Sequence, residues 1–310
     1  MKKILNPALL LLRPVLLFLA VAGSIGSCKK ENSGNQSPQQ QETAVLTSTQ
    51  SDAEADVVFN DVFDNVMGVN NDVGMQGTGV FGRMAGREGS STAKEDSVAP
   101  CFTITVNKLN PGSFFPVQVI IDFGEGCEGK DGRIRKGKLV ATYTGRLIIP
   151  GNAASVTFED FYLDSIKVEG TVTITNSGTL AARQFTLDVQ EAKLSKPGGN
   201  YTQWSAHRTI TQTEGMITPD FPLDDAFSIE GNSQGLARQN NLLVTWQTSI
   251  TTPLLKRFLC HWFVQGTVKA VLSNSNNGNQ WTAILDYGNG NCDRKATITI
   301  NGVEHEISLH

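Results

Sequence analysis

The sequence has no uninterrupted apolar run long enough to cross a bilayer. Its most apolar stretch, residues 4–23, is broken by Asn6 and Arg13, and the uninterrupted part, Pro14–Gly23, has 10 residues. A membrane-spanning helix needs about 20 apolar residues, whereas the apolar region of a signal peptide needs about 7–15. This length argues against a permanent transmembrane anchor, and we predict a signal peptide over residues 1–27.

The sequence also has no excess of positive charge, because the formal net charge of the whole chain is −4. Three of the 26 basic residues, Lys2, Lys3 and Arg13, and none of the 30 acidic residues lie within residues 1–27. Removing that segment leaves 23 basic and 30 acidic residues, a net charge of −7. Binding to nucleic acid needs a concentrated basic surface, so nucleic acid is excluded as an expected partner.

Closely spaced CxxC pairs are missing as well, although the chain has five cysteines. The four histidines, at positions 207, 261, 305 and 310, show no spacing typical of metal ligands. A cysteine-rich metal site is therefore not indicated, and we expect no cofactor.

The first cysteine stands in a pattern of its own. Ile25-Gly26-Ser27-Cys28 resembles the lipobox of bacterial lipoproteins, in which the cysteine is diacylated and becomes the new N-terminus. Two or more acyl chains make membrane attachment persistent, at about 0.8 kcal/mol per buried CH₂. Lys29 follows where aspartate would favour the inner membrane, so the resemblance implies an outer-membrane lipoprotein with palmitate on Cys28, in either leaflet.

Three segments precede the main domain. Residues 28–50, rich in Gln, Ser and Thr, are typical of a disordered tether. In residues 51–69, a capping box of Ser51 and Glu54 precedes apolar residues at helical spacing, which predicts an amphipathic helix with Asp56, Asp61 and Asp64 on its wet face. This helix packs on the main domain or docks a partner. Residues 70–98 indicate a flexible connector, in which Asp96-Ser97-Val98 resembles an O-glycosylation acceptor.

From residue 99 onward the pattern is that of strands. Apolar and polar residues alternate in Lys167–Thr175 and Leu242–Ile250, and turn signals such as Asn176-Ser177-Gly178 separate the runs. No long helical pattern interrupts them. We predict one antiparallel all-β domain over residues 99–310, either a sandwich or a curled meander or roll, with two packed subdomains as the alternative.

Two parts of this domain repeat each other. Residues 101–127 and 260–292 each run from a cysteine through a hairpin to an aliphatic pair, Asp, an aromatic residue, two glycines and a second cysteine. In an exported protein, four such cysteines favour disulfides. The repeat selects the pairs Cys101–Cys127 and Cys260–Cys292, because each bond then closes its own hairpin. A loop of this size would contribute about 3.5 kcal/mol to stability.

Candidate chemistry is sparse. Clustered acids on a glycine-rich loop are a weak calcium candidate, with ordinary turn carboxylates as the alternative; they are Asp122, Glu125, Glu128 and Asp131. Residues 231–235 match the GxSxG motif of hydrolases but lack its strand–turn–helix context. Three tryptophans form a possible glycan-stacking surface or, as we favour, part of the core; they are Trp204, Trp246 and Trp262.

The stretch Ile121–Arg146, "IDFGEGCEGKDGRIRKGKLVATYTGR", preceded by "CFTITV", resembles a group of uncharacterised Bacteroidota lipoproteins. The likeness is best over residues 101–178 and implies a compartment, but no activity and no catalytic residue. The sequence therefore favours a non-enzymatic envelope lipoprotein that is a binding or structural module. The alternatives are a polysaccharide-binding or polysaccharide-hydrolysing accessory protein and a subunit of a larger envelope complex. The expected partners are the membrane, through Cys28, and an envelope protein or a glycan.

Overall fold

The described part of the chain consists of one long helix and one antiparallel sheet of 14 strands. The computed structural model describes residues 38–68, 101–129, 131–217, 224–240, 242–257, 260–273 and 280–309. The predicted signal peptide, Cys28 and the whole of the predicted connector, with Ser97, lie outside these ranges. None of the helices within them combines the length and the apolar character that crossing a bilayer requires.

The helix α1 covers Pro38–Met67. The strands follow in chain order: β1 (Thr103–Lys108), β2 (Val117–Asp122), β3 (Cys127–Glu128), β4 (Ile134–Tyr143), β5 (Ala153–Leu163), β6 (Ile166–Asn176), β7 (Gln184–Ser195), β8 (Tyr201–Glu214), β9 (Ala226–Gln239), β10 (Leu242–Arg257), β11 (Phe263–Ser273), β12 (Gln280–Asn289), β13 (Lys295–Ile300) and β14 (Val303–Ser308). A single 3₁₀ turn, Pro197–Gly199, joins β7 to β8.

The strands form a meander in which each pairs with its neighbours in sequence. The order runs from β1 and β2 through β4 to β14, and the short β3 pairs with β4 beside this path. Strands β1 and β14 are the two edges of an open sheet, and no ladder joins them within the described ranges. The all-β prediction is confirmed, and of its two versions the curled meander is the one observed.

The sheet curls around α1, which fills its interior. From Ala44 to Met67 nearly every side chain of the helix is buried, on all sides of the helix. Its aromatic side chains meet strands from β5 to β9: Phe59 contacts Trp204 and Phe158, and Phe63 contacts Phe185 and Phe227. The hydroxyl of Tyr143 on β4 donates to the carbonyl of Val66 at 2.9 Å. The helix is therefore the core element around which the sheet closes.

The start of this helix differs from the prediction, and of its two expected roles the packing on the main domain is the one observed. It begins at Pro38, so residues 38–50 belong to the helix and not to a tether, and Ser51 lies inside the helix instead of capping it. The apolar face of residues 58–63 is buried inside the sheet and is not available to dock a partner. A helix enclosed on all sides does not need one apolar stripe, so amphipathic spacing marked only part of its length.

Of the aspartates assigned to a wet face, Asp56 and Asp61 are buried and Asp64 is mostly buried. Each is paired with a cation of the surrounding sheet: Asp56 with Arg208, Asp61 with Arg135 and Asp64 with Lys256. Burial raises the pKa of Asp56 to about 6, and Arg208 only partly opposes this effect. Burial likewise raises the pKa of Asp64 against the attraction of Lys256. These acids are tolerated inside because the sheet supplies a partner for each one.

The two cysteine pairs selected by the repeat are the pairs found at disulfide distance. Cys101 and Cys127 have Cα atoms 5.4 Å apart, and Cys260 and Cys292 have Cα atoms 5.7 Å apart. Both fall within the range that a disulfide requires. Pairing within each copy of the repeat is therefore confirmed.

The repeat extends to backbone geometry. The Oδ1 atom of Asp122 accepts a hydrogen bond from the Gly124 N–H at 2.9 Å, and Asp286 accepts one from Gly288 at 2.8 Å. Both glycines have positive φ angles, 59° and 90°, which glycine adopts without the steric cost of a side chain. The two copies thus end in the same kind of turn.

Glycines inside the strands bend the sheet. Gly170 and Gly266 lie at register shifts, with φ angles of 120° and 112°. A Cβ at Gly170 would lie 2.7 Å from the Cα of Ala192, and one at Gly266 would lie 2.5 Å from the Pro253 carbonyl oxygen. These bulges increase local twist and help to curl the sheet around α1.

Candidate functional site

Two adjoining depressions lie on the outer face of the sheet, across β8, β9 and β10. Their volumes are about 460 and 410 Å³, within the range of small-ligand sites. Both are lined by Ser205, Gln234 and Gln247, so they form one continuous feature. We call it the outer groove and define it by the outward-facing side chains that line it: Gln203, Ser205, His207, Asn232, Gln234, Leu236, Thr245, Gln247 and Val271.

Strand register arranges these side chains in cross-strand rows. One row contains Gln203, Leu236 and Thr245 on β8, β9 and β10. The next contains Ser205, Gln234 and Gln247 on the same strands, followed by Val271 on β11. Because side chains two residues apart on a strand share a face, the rows lie side by side.

The groove is rich in free amide groups. The side-chain amides of Gln203, Asn232, Gln234 and Gln247 make no hydrogen bond to any part of the chain that the structure describes. By contrast, Gln184, outside the groove, bonds to Thr211 at 3.0 Å. Each amide offers two donors and one acceptor oxygen, so the groove presents both kinds of group to a ligand.

A contact between a histidine and an aspartate marks one end of the groove. The Nδ1 atom of His207 on β8 lies 2.6 Å from the Oδ1 atom of Asp188 on β7, and both side chains are partly exposed. His207 faces Asn232 across the β8–β9 ladder. None of the residues that line the two depressions is an acid, so the lining is mostly uncharged.

Two of the predicted stacking tryptophans lie beneath the groove, inside the sheet. Trp204 and Trp246 are 2% and 3% exposed. They flank Gly235 on the inner face, where a Cβ would lie 2.4 Å from the Trp246 ring. Their indole nitrogens donate to Asp52 at 2.7 and 3.0 Å. A glycan-stacking role for these two is wrong, and the core alternative is correct.

The third tryptophan lies elsewhere. Trp262 is partly buried in the loop before β11, where the guanidinium of Arg133 lies 5.7 Å from its ring centroid. The structure therefore does not bring the three tryptophans together on one surface. The glycan-stacking alternative is therefore not observed, and Trp262 packs against the core, in agreement with the alternative that we favoured.

The serine of the GxSxG match is part of the same interior. Ser233 is buried on β9, and its hydroxyl donates to Asp52 at 2.6 Å and contacts the hydroxyl of Thr248. It lies within a strand, without the sharp turn that exposes a catalytic serine. The match is therefore a coincidence of sequence.

The four acids of the calcium candidate are held apart by separate partners. Asp122 lies 3.7 Å from Lys138, Glu125 lies 2.7 Å from Lys136, and Asp131 bonds to Arg135 at 2.6 Å, while Glu128 is exposed. Burial opposes ionisation of Asp131, but its hydrogen bonds and ion pair with Arg135 outweigh this and lower its pKa. No group of three or more His, Cys, Asp or Glu residues within the described ranges is placed to hold a metal. The calcium prediction is wrong, and the turn alternative fits Asp122.

Comparison of the chain with family models, with curated proteins and with solved structures finds no match. Cys28 and Ser97 lie outside the described residues, so their modification stays a prediction. Sequence reasoning did not identify the groove, because polar side chains on a half-exposed strand carry no distinctive aromatic or charged pattern. A signal for it exists in the period-two polar residues Gln203-x-Ser205-x-His207 and Asn232-x-Gln234.

Proposed function

We propose that this protein is a lipid-anchored, non-enzymatic binding module of the cell envelope, and that its outer groove binds a neutral carbohydrate chain. The observation that carries the proposal is the set of four amides without partners in the two adjoining depressions of the outer groove, which have volumes of about 460 and 410 Å³. The lipobox at Cys28 supports the anchor, and Lys29 supports the outer membrane as its location.

The chemistry of the groove favours a sugar among polar ligands. Sugar hydroxyls both donate and accept hydrogen bonds, as the amides of Gln203, Gln234 and Gln247 do. An anionic ligand would call for cations, and no lysine or arginine is among the residues that line the two depressions. The groove crosses three strands, and the two depressions share three lining residues. This continuity suits a chain of sugar units.

Binding without hydrolysis is favoured by the same lining. Glycoside hydrolysis uses two carboxyl groups about 5–9.5 Å apart on either side of the scissile bond. Neither depression has an acid among its lining residues. The buried Ser233 also offers no exposed nucleophile.

The binding proposal is tested with the mature chain carrying Cys28→Ser, screened on an array of neutral and charged glycans and then by calorimetry with the best neutral oligosaccharide. We expect Gln234→Ala to weaken binding about tenfold, because a lost pair of hydrogen bonds costs on the order of 1–2 kcal/mol. Gln265→Ala, an exposed glutamine on β11 outside the groove, is the matched control and should bind as the wild type does. Equal affinity of the Gln234 variant and wild type, or no binding to any neutral glycan, would contradict the proposal.

The anchor is tested separately in cells. Wild-type protein should incorporate labelled palmitate and sediment with membranes, whereas Cys28→Ser should do neither. Continued labelling of the variant would refute lipidation at Cys28.

A further inference from the structure

A further row of side chains adjoins the outer groove at the end opposite His207. The groove ends there at the row that contains Gln203. Two residues further along the same three strands lies another cross-strand row, formed by Tyr201, Arg238 and Leu243. Residues two apart on a strand share a face and are about 7 Å apart, so this row also faces outward and lies directly beside the groove.

Two cations lie beside the tyrosine of this row. Arg238 on β9 is the direct cross-strand partner of Tyr201 on β8. On the other side, the Nζ atom of Lys193 on β7 lies 5.4 Å from the centroid of the Tyr201 ring. Lys193 is in turn the cross-strand partner of Gln203 in the groove. We call Lys193, Tyr201 and Arg238 the cationic end of the groove.

The charges of the cationic end are available to a ligand. Neither Lys193 nor Arg238 makes an ion pair with an acid in the part of the chain that the structure describes. Glu169 on β6 is the other cross-strand neighbour of Lys193, and the two make no ion pair. The partly exposed lysines of β4 and β6 differ, because each lies 2.7–3.7 Å from a carboxylate oxygen; they are Lys136, Lys138 and Lys167.

The chemistry of the cationic end suits a sugar unit that carries a negative charge. An arginine guanidinium can donate two parallel hydrogen bonds to a carboxylate or a phosphate, and a lysine ammonium adds three donors and a second charge. Between them, the Tyr201 ring offers a rigid apolar face for the C–H groups of a sugar ring. The two depressions, by contrast, have no lysine or arginine in their lining. Neutral units therefore fit the groove, and an anionic unit fits its end.

We propose that the carbohydrate in the outer groove carries an acidic unit next to its neutral units, and that the cationic end binds this acidic unit. The inference rests on the proposed function, because the groove is taken as the site of the neutral units. The anionic group is a carboxylate or a phosphate, the two groups that the arginine fork matches. Because the charge is recognised at one end only, it also fixes the direction in which the sugar chain lies.

The test is calorimetry on the mature chain carrying Cys28→Ser, with three oligosaccharides that share one neutral backbone. They end in a uronic acid, a phosphorylated sugar or a neutral sugar. One of the two anionic ligands should bind about tenfold more tightly than the neutral one, because hydrogen bonds to charged groups are stronger than those between neutral groups. This ratio of affinities should fall as the salt concentration rises, because salt screens exposed charges.

Three variants assign the preference to the cationic end. Arg238→Gln should bring the ratio of affinities close to one. Arg294→Gln, an exposed arginine before β13 and outside the groove, is the matched control and should keep the ratio. Gln234→Ala should weaken the anionic and neutral ligands by the same factor, because it changes only the groove. The thermal unfolding of Arg238→Gln should match that of the parent chain, since no ion pair is lost.

The outcomes separate this inference from the proposed function. Equal affinities of the parent chain for all three ligands, or a ratio that Arg238→Gln does not change, would overturn the cationic end and leave the groove. If only acidic glycans bind, and Arg238→Gln weakens them while Gln234→Ala does not, the cationic end is upheld and the groove is refuted. Absence of binding to every neutral and acidic glycan would overturn both.

Discussion

Asp52 illustrates how single residues hold the helix in the sheet. Its Oδ1 atom accepts hydrogen bonds from Trp204, Ser233 and Trp246, on three neighbouring strands. Each donor would be costly to bury alone, and one carboxylate oxygen satisfies all three. The sequence could not predict that these three side chains donate to Asp52, because Asp52 is more than 150 residues away from each of them.

Asp225 gives a prediction at the same scale. It is 5% exposed, and its Oδ1 atom accepts a hydrogen bond from the Gln212 amide at 2.8 Å. Burial, and then the nearby charge of Asp224, raise its pKa to about 7. A group whose pKa is higher in the folded state stabilises the fold at low pH and loses that contribution as pH rises through the folded value. Through Asp225, the free energy of unfolding should therefore decrease progressively as the pH rises from about 4 to about 7.

The measurement is urea unfolding of wild type and Asp225→Asn at pH 5 and pH 8. The asparagine keeps the acceptor for Gln212 but cannot ionise, so the variant should gain stability relative to wild type at the higher pH. Asp293→Asn is the control, because its exposed side chain caps the Lys295 N–H and an amide oxygen can do the same. A difference between Asp225→Asn and wild type that does not change with pH would contradict the prediction.

At the scale of elements, the sequence predicted only the second half of α1. The apolar spacing of residues 58–67 identified the helix, but the glutamine-rich residues 38–43 indicated a tether. Those residues are mostly exposed in the first turns, and burial begins at Ala44. The sequence could not show that the helix is enclosed, since that depends on strands far away in the chain. The strands themselves were predictable, because their alternation is local.

We predict that residues 99–310 do not fold without α1. Removing the helix would expose Phe185 and Phe227 on the inner face and leave Arg208 and Lys256 without their aspartates. An unpaired buried charge costs about 3–5 kcal/mol, so two cost about 6–10 kcal/mol, which is comparable with the whole stability of a domain. The fragment should lack the near-ultraviolet circular dichroism of the intact protein.

The matched control is the fragment 36–310, which keeps the helix and should give the full spectrum. A peptide of residues 38–68 added to the 99–310 fragment should restore part of the signal. If residues 99–310 alone give the native spectrum, the helix is an attachment and not the core.

At the scale of the whole molecule, the open question was one domain or two subdomains. The repeat suggested two related halves, yet a single sheet contains both copies. The helix pairs with Arg135 on β4 and with Lys256 on β10, so it joins the two halves. We predict one cooperative unfolding unit. Native-state hydrogen exchange should give slowly exchanging amides of β4 and β11 the same free energy of opening.

Separate opening energies for these two strands would favour two subdomains. The free energies of opening of β4 and β11 should both decrease with urea concentration at the same slope, since a global opening exposes the whole interior. Wild type and the double variant Asp61→Asn with Arg135→Gln form a useful comparison. Weakening a contact of the first half should lower the opening energy of β11 by the same amount as that of β4.

The candidate site was the least predictable feature at every scale. Its residues are ordinary outward-facing amides, and any half-exposed strand carries such residues. What distinguishes Gln203, Gln234 and Gln247 is their alignment across three strands, which depends on register. The disulfides, by contrast, could be paired in advance because the repeat compares two local segments directly.

The enclosure of α1 has a consequence for the order in which the molecule can assemble. A ribosome makes the helix first, yet the strands that contact the helix are spread over the more than 200 residues that follow it. The contact between Glu42 and His305 can form only after the last strand has been made. Such distant pairings make folding slow, because loop closure must precede any gain in contacts. Until the last strands arrive, the helix must be shielded by other molecules or stay unstructured. The native state of this protein therefore forms after synthesis, when all the strands are present and the sheet can close around α1.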